Sequence, residues 1–273
     1  MIADLHIHSN YSDGSNTVEE IMEMASKKGV SLIGLVDHDT IRGIEHARQA
    51  GNQRGITVIP AIEISAYDFK RNRKVHILGY GFQKDAKHIQ QLCEPLLQRR
   101  HANSLWQIEQ LQANGYEITC EEVVKNASPG GIIYKQHMMA CLTTAHFTTP
   151  AYKRLYKALF KGDGICARDI EYVDAIEAVQ AIKKDGGLAV LAHPGQLNSF
   201  DLIPELVQNG LDGIERNHFD HSKEDMKKVE AYAKEFSLFL TGGSDFHGNF
   251  GTAIQIGEVT CPADAVQKFM SIV

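Results

Sequence analysis

Apolar and polar positions alternate along the first third of the chain with two different periods. Ile2 to His6 reads as a buried strand that runs into a polar loop, Ser9 to Ser15. Thr17 and Glu20 then have capping-box spacing. Val18, Ile21, Met22 and Ala25 form an apolar stripe at helical period, and Gly29 supplies the stop. Leu32 to Val36 is the next strand and leads straight into Asp37-His38-Asp39. A helix around Gly43 to Arg54 follows, then the strand Thr57 to Ile59, then Glu63, and then a β-like run from Val75 to Tyr80 that carries His76.

From about Ala86 to Cys166 the pattern turns helical. Leu92, Leu96, Leu97, Leu105, Ile108 and Leu111 fall at helical spacing, and Gly115 ends that segment. The alternation then resumes. A helix near Asp174 to Lys184 stops at Gly186-Gly187, and the strand Leu188 to Leu191 leads into His193-Pro194-Gly195. A helix from Leu202 to Asn209 precedes Gly213-Ile214-Glu215, with His218 and His221 beyond. The helix Lys223 to Phe236 precedes the strand Leu238 to Leu240 and then Asp245-Phe246-His247, and a last helix lies near Ala263 to Met270. Strands alternating with helices over this length imply a parallel sheet, and a closed β/α barrel is the natural architecture. The expected organisation is a barrel from residues 1–85 and 167–273, interrupted by a helical insertion over residues 86–166 that caps the substrate.

One placement recurs along this pattern. His6 and His8, Asp37 and His38, Glu63, His193, Glu215 and His218, and Asp245 and His247 all follow an expected strand. In a β/α barrel the C-terminal strand ends carry the active site. Side chains i and i+2 of an extended segment share a face, so His6 with His8, and Asp245 with His247, could converge on one ion. A single His-x-His is equally an ordinary surface or capping pair; the repetition across strands favours a metal site. Imidazole and carboxylate are ligands that zinc, manganese and iron sites use without any thiolate.

Composition narrows the class. The net charge of −6 argues against a surface that grips duplex nucleic acid, while leaving room for a small nucleotide or a single strand held through metal. Five scattered cysteines with no Cys-x-x-Cys pair suit a reducing compartment. The first residues enter a strand directly, and no apolar run is long enough to span a bilayer. The expectation is a cytoplasmic protein with no membrane partner.

The ordered motifs Asp4-Leu5-His6-Ile7-His8, Val36-Asp37-His38-Asp39, Glu63-Ile64-Ser65, Ala192-His193-Pro194-Gly195 and Gly243-Ser244-Asp245-Phe246-His247 resemble the PHP (polymerase and histidinol phosphatase) family of metal-dependent phosphoesterases. The resemblance spans the whole chain. It implies an α/β fold, a distorted seven-stranded TIM-like barrel, holding two or three divalent ions, often manganese, iron or zinc. By the same resemblance His6, His8, Glu63 and Asp245 would hold one ion and Asp13, His38 and His247 a second. Glu63 would bridge to a third, completed by His76 and His193. Asp13 stands where trinuclear relatives often have histidine.

The helical insertion is similar to that of the branch that acts on nucleotides and short RNA, the nucleoside 3′,5′-bisphosphate phosphatases and 5′-to-3′ exoribonucleases. Arg99-Arg100, Gly115, His137 and Arg168 match its pattern. Lys135 stands where relatives carry arginine before the histidine, and offers phosphate a point charge without a bidentate fork. The resemblance therefore implies hydrolysis of phosphate esters of nucleotides, or of short 5′-phosphorylated RNA, by a metal-activated hydroxide. Arg99, Lys135, His137, Arg168, His218 and His221 are the expected substrate contacts. Asp245 and His247 would act at the reacting centre with His218. His218 or His221 would stabilise or protonate the leaving oxygen, unless they are solvent-exposed loop histidines. Asp4 and Asp37 read either as ligands or as groups that orient ligands. Trp106 reads as a base-stacking ring or as core, and Lys153, Lys157 and Lys161 as a phosphate-receiving stripe or a solvated helix face. The competing readings are a small-metabolite phosphomonoesterase such as histidinol phosphatase, and a non-catalytic metal-stabilised module.

Overall fold

A computed structural model describes residues 1–127 and 129–271 of the chain. Ser128 in the expected insertion, and residues 272 and 273 at the end of the expected barrel range, lie outside them. The first half-turns of the barrel form as their patterns dictate. Strand β1 (Ala3–Ile7) is followed by helix α1 (Val18–Lys27), whose Thr17 and Glu20 close a reciprocal capping box and whose Val18, Ile21, Met22 and Ala25 are the buried face. Next come β2 (Leu32–Leu35), α2 (Ile44–Asn52) and β3 (Thr57–Ile59). Pro60, with no N–H to give, separates β3 from β4 (Ala61–Asp68), which turns back as β5 (Arg73–Tyr80).

The range expected as an insertion holds α3 (Lys87–Ala113), α4 (Cys120–Asn126), α5 (Lys135–Leu142) and α6 (Pro150–Phe160). Then follow β6 (Val173–Asp174), α7 (Ala175–Lys184), β7 (Leu188–Leu191), α8 (Ile203–Gln208), β8 (Gly213–Asn217), α9 (Lys223–Phe236), β9 (Phe239–Gly242) and α10 (Ala263–Met270).

β1, β2 and β3 pair in parallel in that order, and the second sheet runs β6-β4-β5-β7-β8-β9. Two parallel bridges join the sheets, Ile7 to Phe246 beyond β9 and His38 beyond β2 to Glu63 in β4. With β3 and β4 counted as one strand broken at Pro60, seven staves circle the barrel, and the two-residue β6 sits outside the ring on β4. The distortion is at β5, which is antiparallel to both its neighbours β4 and β7.

The barrel interior changes character along its axis. At one end Ala3, Leu5, Ala61, Leu78, Tyr80, Val190, Ala192 and Phe239 pack into one cluster, closed by Val266 and Phe269 of α10. At the other end the inward positions are His6, Glu63, His76 and Glu215. A register shift between Asp4 and Ile7 inserts one extra residue into β1. That bulge lets Leu5 join the apolar floor while His6 and His8 both serve the polar end. α3 has a double allegiance: Ile89, Cys93 and Leu96 pack on the barrel layer, whereas Ile108 and Leu111 pack with Val123, Met138, Met139 and Phe160 in a core belonging to the insertion.

Candidate metal centre and substrate cavity

Glu63 is the hub of the polar end. It lies within β4, as its third residue, rather than after a strand end as the sequence pattern suggested, because Pro60 starts a new strand earlier. Its Oε1 lies 2.8 Å from His76 Nδ1 and 3.1 Å from His193 Nε2. Its Oε2 lies 3.3, 3.1 and 3.5 Å from the Nε2 atoms of His6, His8 and His38. Asp245 Oδ1 approaches His6 Nε2 at 3.3 Å and His8 Nε2 at 3.4 Å. Asp13 Oδ1 faces His247 Nε2 at 3.4 Å and His8 Nδ1 at 3.7 Å, and its Oδ2 faces His38 Nε2 at 4.0 Å. His76 reaches this rim from the N-terminal half of its strand because β5 runs backwards.

These residues form four overlapping groups whose donor atoms lie within 4.8 Å of one another: His8-Asp13-His38-His247, His6-His8-Asp245, His6-Glu63-His193 and His38-Glu63-His76. Every residue expected as a ligand is in at least one of them. His8 joins the Asp13 group as well as the first set. The residues fit divalent ions on a second ground. Both ring nitrogens of His8, and Nδ1 of His193, are buried without a well-directed hydrogen bond, although carboxylate oxygens stand 3.1, 3.4 and 3.7 Å from the His8 nitrogens. Such orphans are costly unless something else satisfies them. Two donors sharing an ion at about 2.1 Å lie about 3.0–3.4 Å apart, which is the spacing seen around Glu63 Oε2 and Asp245 Oδ1. Nitrogen and carboxylate donors without thiolate suit manganese, iron or zinc.

The charges are mutually supporting. Burial alone would push the Glu63 carboxyl up, but the imidazoles of His76, His38 and His6 outweigh it and hold it well below the usual carboxylate range. Asp245 behaves likewise beside His6 and His247. Burial would lower His8, yet Asp245, Glu63 and Asp13 raise it to about 10.

Around the cluster stands a ring of orienting groups. Glu215 Oε1 accepts from His6 Nδ1 at 2.9 Å, which turns His6 Nε2 toward Glu63 and Asp245, and Glu215 Oε2 accepts the His193 backbone N–H at 2.9 Å. Sequence reasoning put Glu215 on the rim without giving it a role; a glutamate directly after Gly213-Ile214 and three residues before His218 was the available signal. His247 Nδ1 donates to the Asp245 carbonyl at 2.9 Å and so presents Nε2 to Asp13. Asp4 accepts the backbone N–H groups of Ser244 and Gly257, both at 2.9 Å. Asp37 accepts from Ser9 N–H, Ser9 Oγ and Ser12 Oγ and holds the loop that carries Asp13. Of their two sequence readings, both aspartates thus follow the orienting one. His193 and Asp245 adopt positive φ of 23° and 51°, a strained backbone at two candidate ligands.

His218 is buried, not a solvent-exposed loop residue. Its Nδ1 accepts from the Asp220 N–H, so its proton sits on Nε2, 3.2 Å from Asp245 Oδ2. His221 does not reach a substrate position: Nδ1 donates to the Arg216 carbonyl and Nε2 accepts from Gly195 N–H, so both ring nitrogens tie loops together.

A cavity of about 290 Å³ opens beside Asp13, His38 and His76, with Lys74, Arg100, Tyr134, Lys135, Gln136, Tyr156, Asp169 and Tyr172 in its walls. Lys74 pairs with Asp169 at 2.7 Å and Arg100 with Asp39 at 2.7 Å. The Lys135 side chain has no ion pair or hydrogen bond among the described residues; burial, with Lys74, Lys161 and Arg100 nearby, brings it down to about 8 against the attraction of Asp169.

The other expected substrate contacts are turned elsewhere. Arg99 donates to the Glu171 carbonyl; one residue on a helix rotates the side chain by about 100°, and it is Arg100 that faces the cavity. Arg168 stacks 4.0 Å over Trp106, so that the guanidinium occupies an indole face, and donates to Asn103 Oδ1. His137 Nδ1 accepts the Tyr134 N–H at the start of α5, and its ring is buried. Lys153 and Lys157 are exposed on α6, and Lys161, also exposed, caps its C-terminus in extended conformation.

Buried carboxylates and imidazoles at the mouth of a β/α barrel define a metal-dependent phosphoesterase of the PHP type. The PHP domain model matches residues 4–256, and the chain belongs to that family. Among curated relatives, it is 50% identical over 257 residues, 94% of this chain and 98% of the relative, to the phosphoribosyl 1,2-cyclic phosphate 1,2-diphosphodiesterase of Eggerthella lenta. It is 28% identical over 250 residues, 89% of this chain and 86% of the relative, to a 3′,5′-nucleoside bisphosphate phosphatase of Chromobacterium violaceum. A solved structure from Bifidobacterium adolescentis described as a metal-dependent phosphoesterase matches with a TM-score of 0.88 at 25% identity, covering 99% of this chain and 96% of that one. The chain is a phosphoric ester hydrolase, and among the described residues no helix is long and apolar enough to cross a membrane.

Proposed function

We propose that this chain opens a cyclic phosphate diester on a phosphorylated ribose. The observation that carries this is the 290 Å³ cavity with one unpaired cation, Lys135, beside the carboxylate–histidine cluster. That volume is at the small end of ligand pockets, which run to about 1,000 Å³, and suits a sugar phosphate better than an oligonucleotide. The half-identical Eggerthella relative supports the same substrate class. Two or three divalent ions, manganese, iron or zinc, belong to the proposal. His6, His8, Asp245 and Glu63 would hold one, Asp13, His38 and His247 a second, and Glu63, His76 and His193 a third.

When bound, the ions would supply Lewis acidity, making a water nucleophilic near neutral pH and neutralising phosphoryl oxygens. The chain does the rest. Glu63 uses both carboxylate oxygens to fix histidines from three sides of the barrel. Asp245 and His247 would act at the reacting centre by holding ions at the rim, and Lys135 would grip the distal phosphate as a point charge. His218 presents an Nε2 hydrogen-bond donor beside Asp245 that would stabilise the leaving sugar oxygen, whose proton comes from solvent.

A second reading, action on nucleoside 3′,5′-bisphosphates or short 5′-phosphorylated RNA, is favoured by a neighbouring cavity of about 310 Å³. Gln136 lines both cavities, and Tyr152, Asn249 and Phe250 in the second could take a base. The test is product formation by manganese-loaded protein from four substrates in parallel. They are phosphoribosyl 1,2-cyclic phosphate, adenosine 3′,5′-bisphosphate, a short 5′-phosphorylated RNA and histidinol phosphate. Preferred turnover of the cyclic diester supports the proposal; preferred turnover of either nucleotide substrate replaces it with the second reading. Action on histidinol phosphate alone overturns both, and silence on all four with metal bound returns the chain to a non-catalytic module.

A further inference from the structure

The three candidate ion sites are not supported alike. Asp13 sits on the irregular loop between β1 and α1, where no strand geometry aims its carboxylate. Its Oδ2 accepts a hydrogen bond of 2.9 Å from Gln136 Nε2, a side chain of the insertion. His38, just past β2, is held by the same part of the chain. The buried Tyr134 hydroxyl donates to its carbonyl oxygen at 3.0 Å. Arg100 Nη2 donates to Asp39 Oδ2 at 2.7 Å and to Ser65 Oγ at 3.0 Å, and Ser65 Oγ lies 3.3 Å from His38 Nδ1. By contrast His6, Glu63, His193 and Asp245 take their side-chain partners from the barrel itself: Glu215, His76 and His218 among them. Among the described residues no insertion side chain hydrogen-bonds to those four.

We propose that the insertion completes the second ion site. Gln136, Tyr134 and Arg100 act as positioning residues that hold Asp13 and His38 in place, so that occupancy of that one ion depends on how the insertion is seated. The inference rests on the metal assignment proposed above. Its logic is geometric. A carboxylate on a loop can rotate, and an amide fixed to one oxygen leaves the other, Oδ1, facing His247 and His8. A tyrosine anchored to the His38 carbonyl sets the backbone from which the imidazole projects. Partners of this kind are worth about 10- to 100-fold in metal affinity. The same three side chains also line the 290 Å³ cavity, so the wall that meets the substrate is the wall that aims the ligands.

The experiment is equilibrium dialysis of the full-length chain over a range of free manganese, with metal counted per chain. Wild type is compared with Gln136→Leu, Tyr134→Phe and Gln112→Ala. The Gln112 amide donates to the Ile118 carbonyl wholly within the insertion and serves as a control for general loosening. Tyr134→Phe removes only a hydroxyl and keeps the ring that Arg100 overlies. The expected result is that Gln136→Leu and Tyr134→Phe each weaken one manganese equivalent by about 10- to 100-fold and leave the remainder at wild-type affinity, with Gln112→Ala unchanged. Wild-type affinity at every site in both variants, or uniform weakening of all sites, overturns the inference while leaving the metal assignment standing. A wild-type chain that takes up no divalent ion overturns both.

Discussion

At Glu215 one buried carboxylate serves two candidate ligand residues, His6 through its ring and His193 through its backbone. Glu215→Gln keeps the shape but removes the charge that fixes the His6 tautomer. Metal titration should show the ion nearest His6 bound about 10- to 100-fold more weakly, with the circular dichroism of the fold unchanged. His8→Ala and Asp245→Ala go further, deleting donors shared by His6 and Glu63, and should abolish most turnover along with bound metal. Wild-type turnover at matched metal content in either would remove them from the site. Lys135 makes a prediction in pH. It is cationic below about 8 and neutral above, so its hold on phosphate is present at pH 7 and fades toward pH 9. KM for a phosphorylated substrate should therefore rise over that interval. Lys135→Arg should flatten the rise, and Lys135→Ala should show the high KM throughout; a pH-independent wild-type KM would dismiss the residue. His6, His8, His38, His193 and His247 were legible because histidines recur at strand ends, whereas Asp13 and His76 entered only through the family resemblance. The substrate contacts were not legible, since Arg99 and Arg100 are indistinguishable in one dimension and differ by a third of a helical turn in three.

Strand direction is the element-level fact that the pattern of residues could not carry. Val75 to Tyr80 is β-like read either way, and only pairing to β4 and β7 reveals that it runs antiparallel and delivers His76 to the rim. The one-residue bulge in β1 was equally hidden, because Leu5 and His6 both facing inward breaks the two-residue period that strand reading assumes. Close approach between elements gives a further test. A Cβ at Gly243 would fall 2.3 Å from the His6 backbone nitrogen, a main-chain atom that cannot swing aside. Gly243→Ala should push β1 away from the segment after β9, costing about 1–3 kcal/mol in denaturant unfolding and weakening metal uptake together. Stability lost with metal affinity intact would show that the two segments can separate without disturbing the ligands.

For the molecule as a whole, the polar end of the barrel gathers Glu63, Asp245 and Asp13 with six imidazoles in a buried space. Ions that bind only the folded chain stabilise it by mass action, about 2.7 kcal/mol per site at a hundred times Kd. For a chain of this size that is roughly 5–10 °C in Tm per saturated site. Chelation should lower Tm by that order and manganese restore it; a Tm indifferent to chelator would mean that the cluster is held by its own hydrogen bonds. The barrel itself was legible from alternation alone, as was the helical change of rhythm. The two-sided packing of α3 was not, because one continuous apolar stripe gives no sign of where it changes partner.

The closing bridge between Ile7 and Phe246 has a consequence in time. His6 and His8 leave the ribosome more than two hundred residues before Asp245 and His247, and Asp4 meets Ser244 and Gly257 only once those have emerged. At about 5–20 residues per second, synthesis keeps the two halves of that ion site apart for about ten seconds or more. During that interval His6 and His8 would offer only part of the proposed ligand set. Under the metal assignment proposed above, a nascent chain stalled before residue 245 would carry most of a barrel and lack Asp245 and His247, two of the residues that would hold ions.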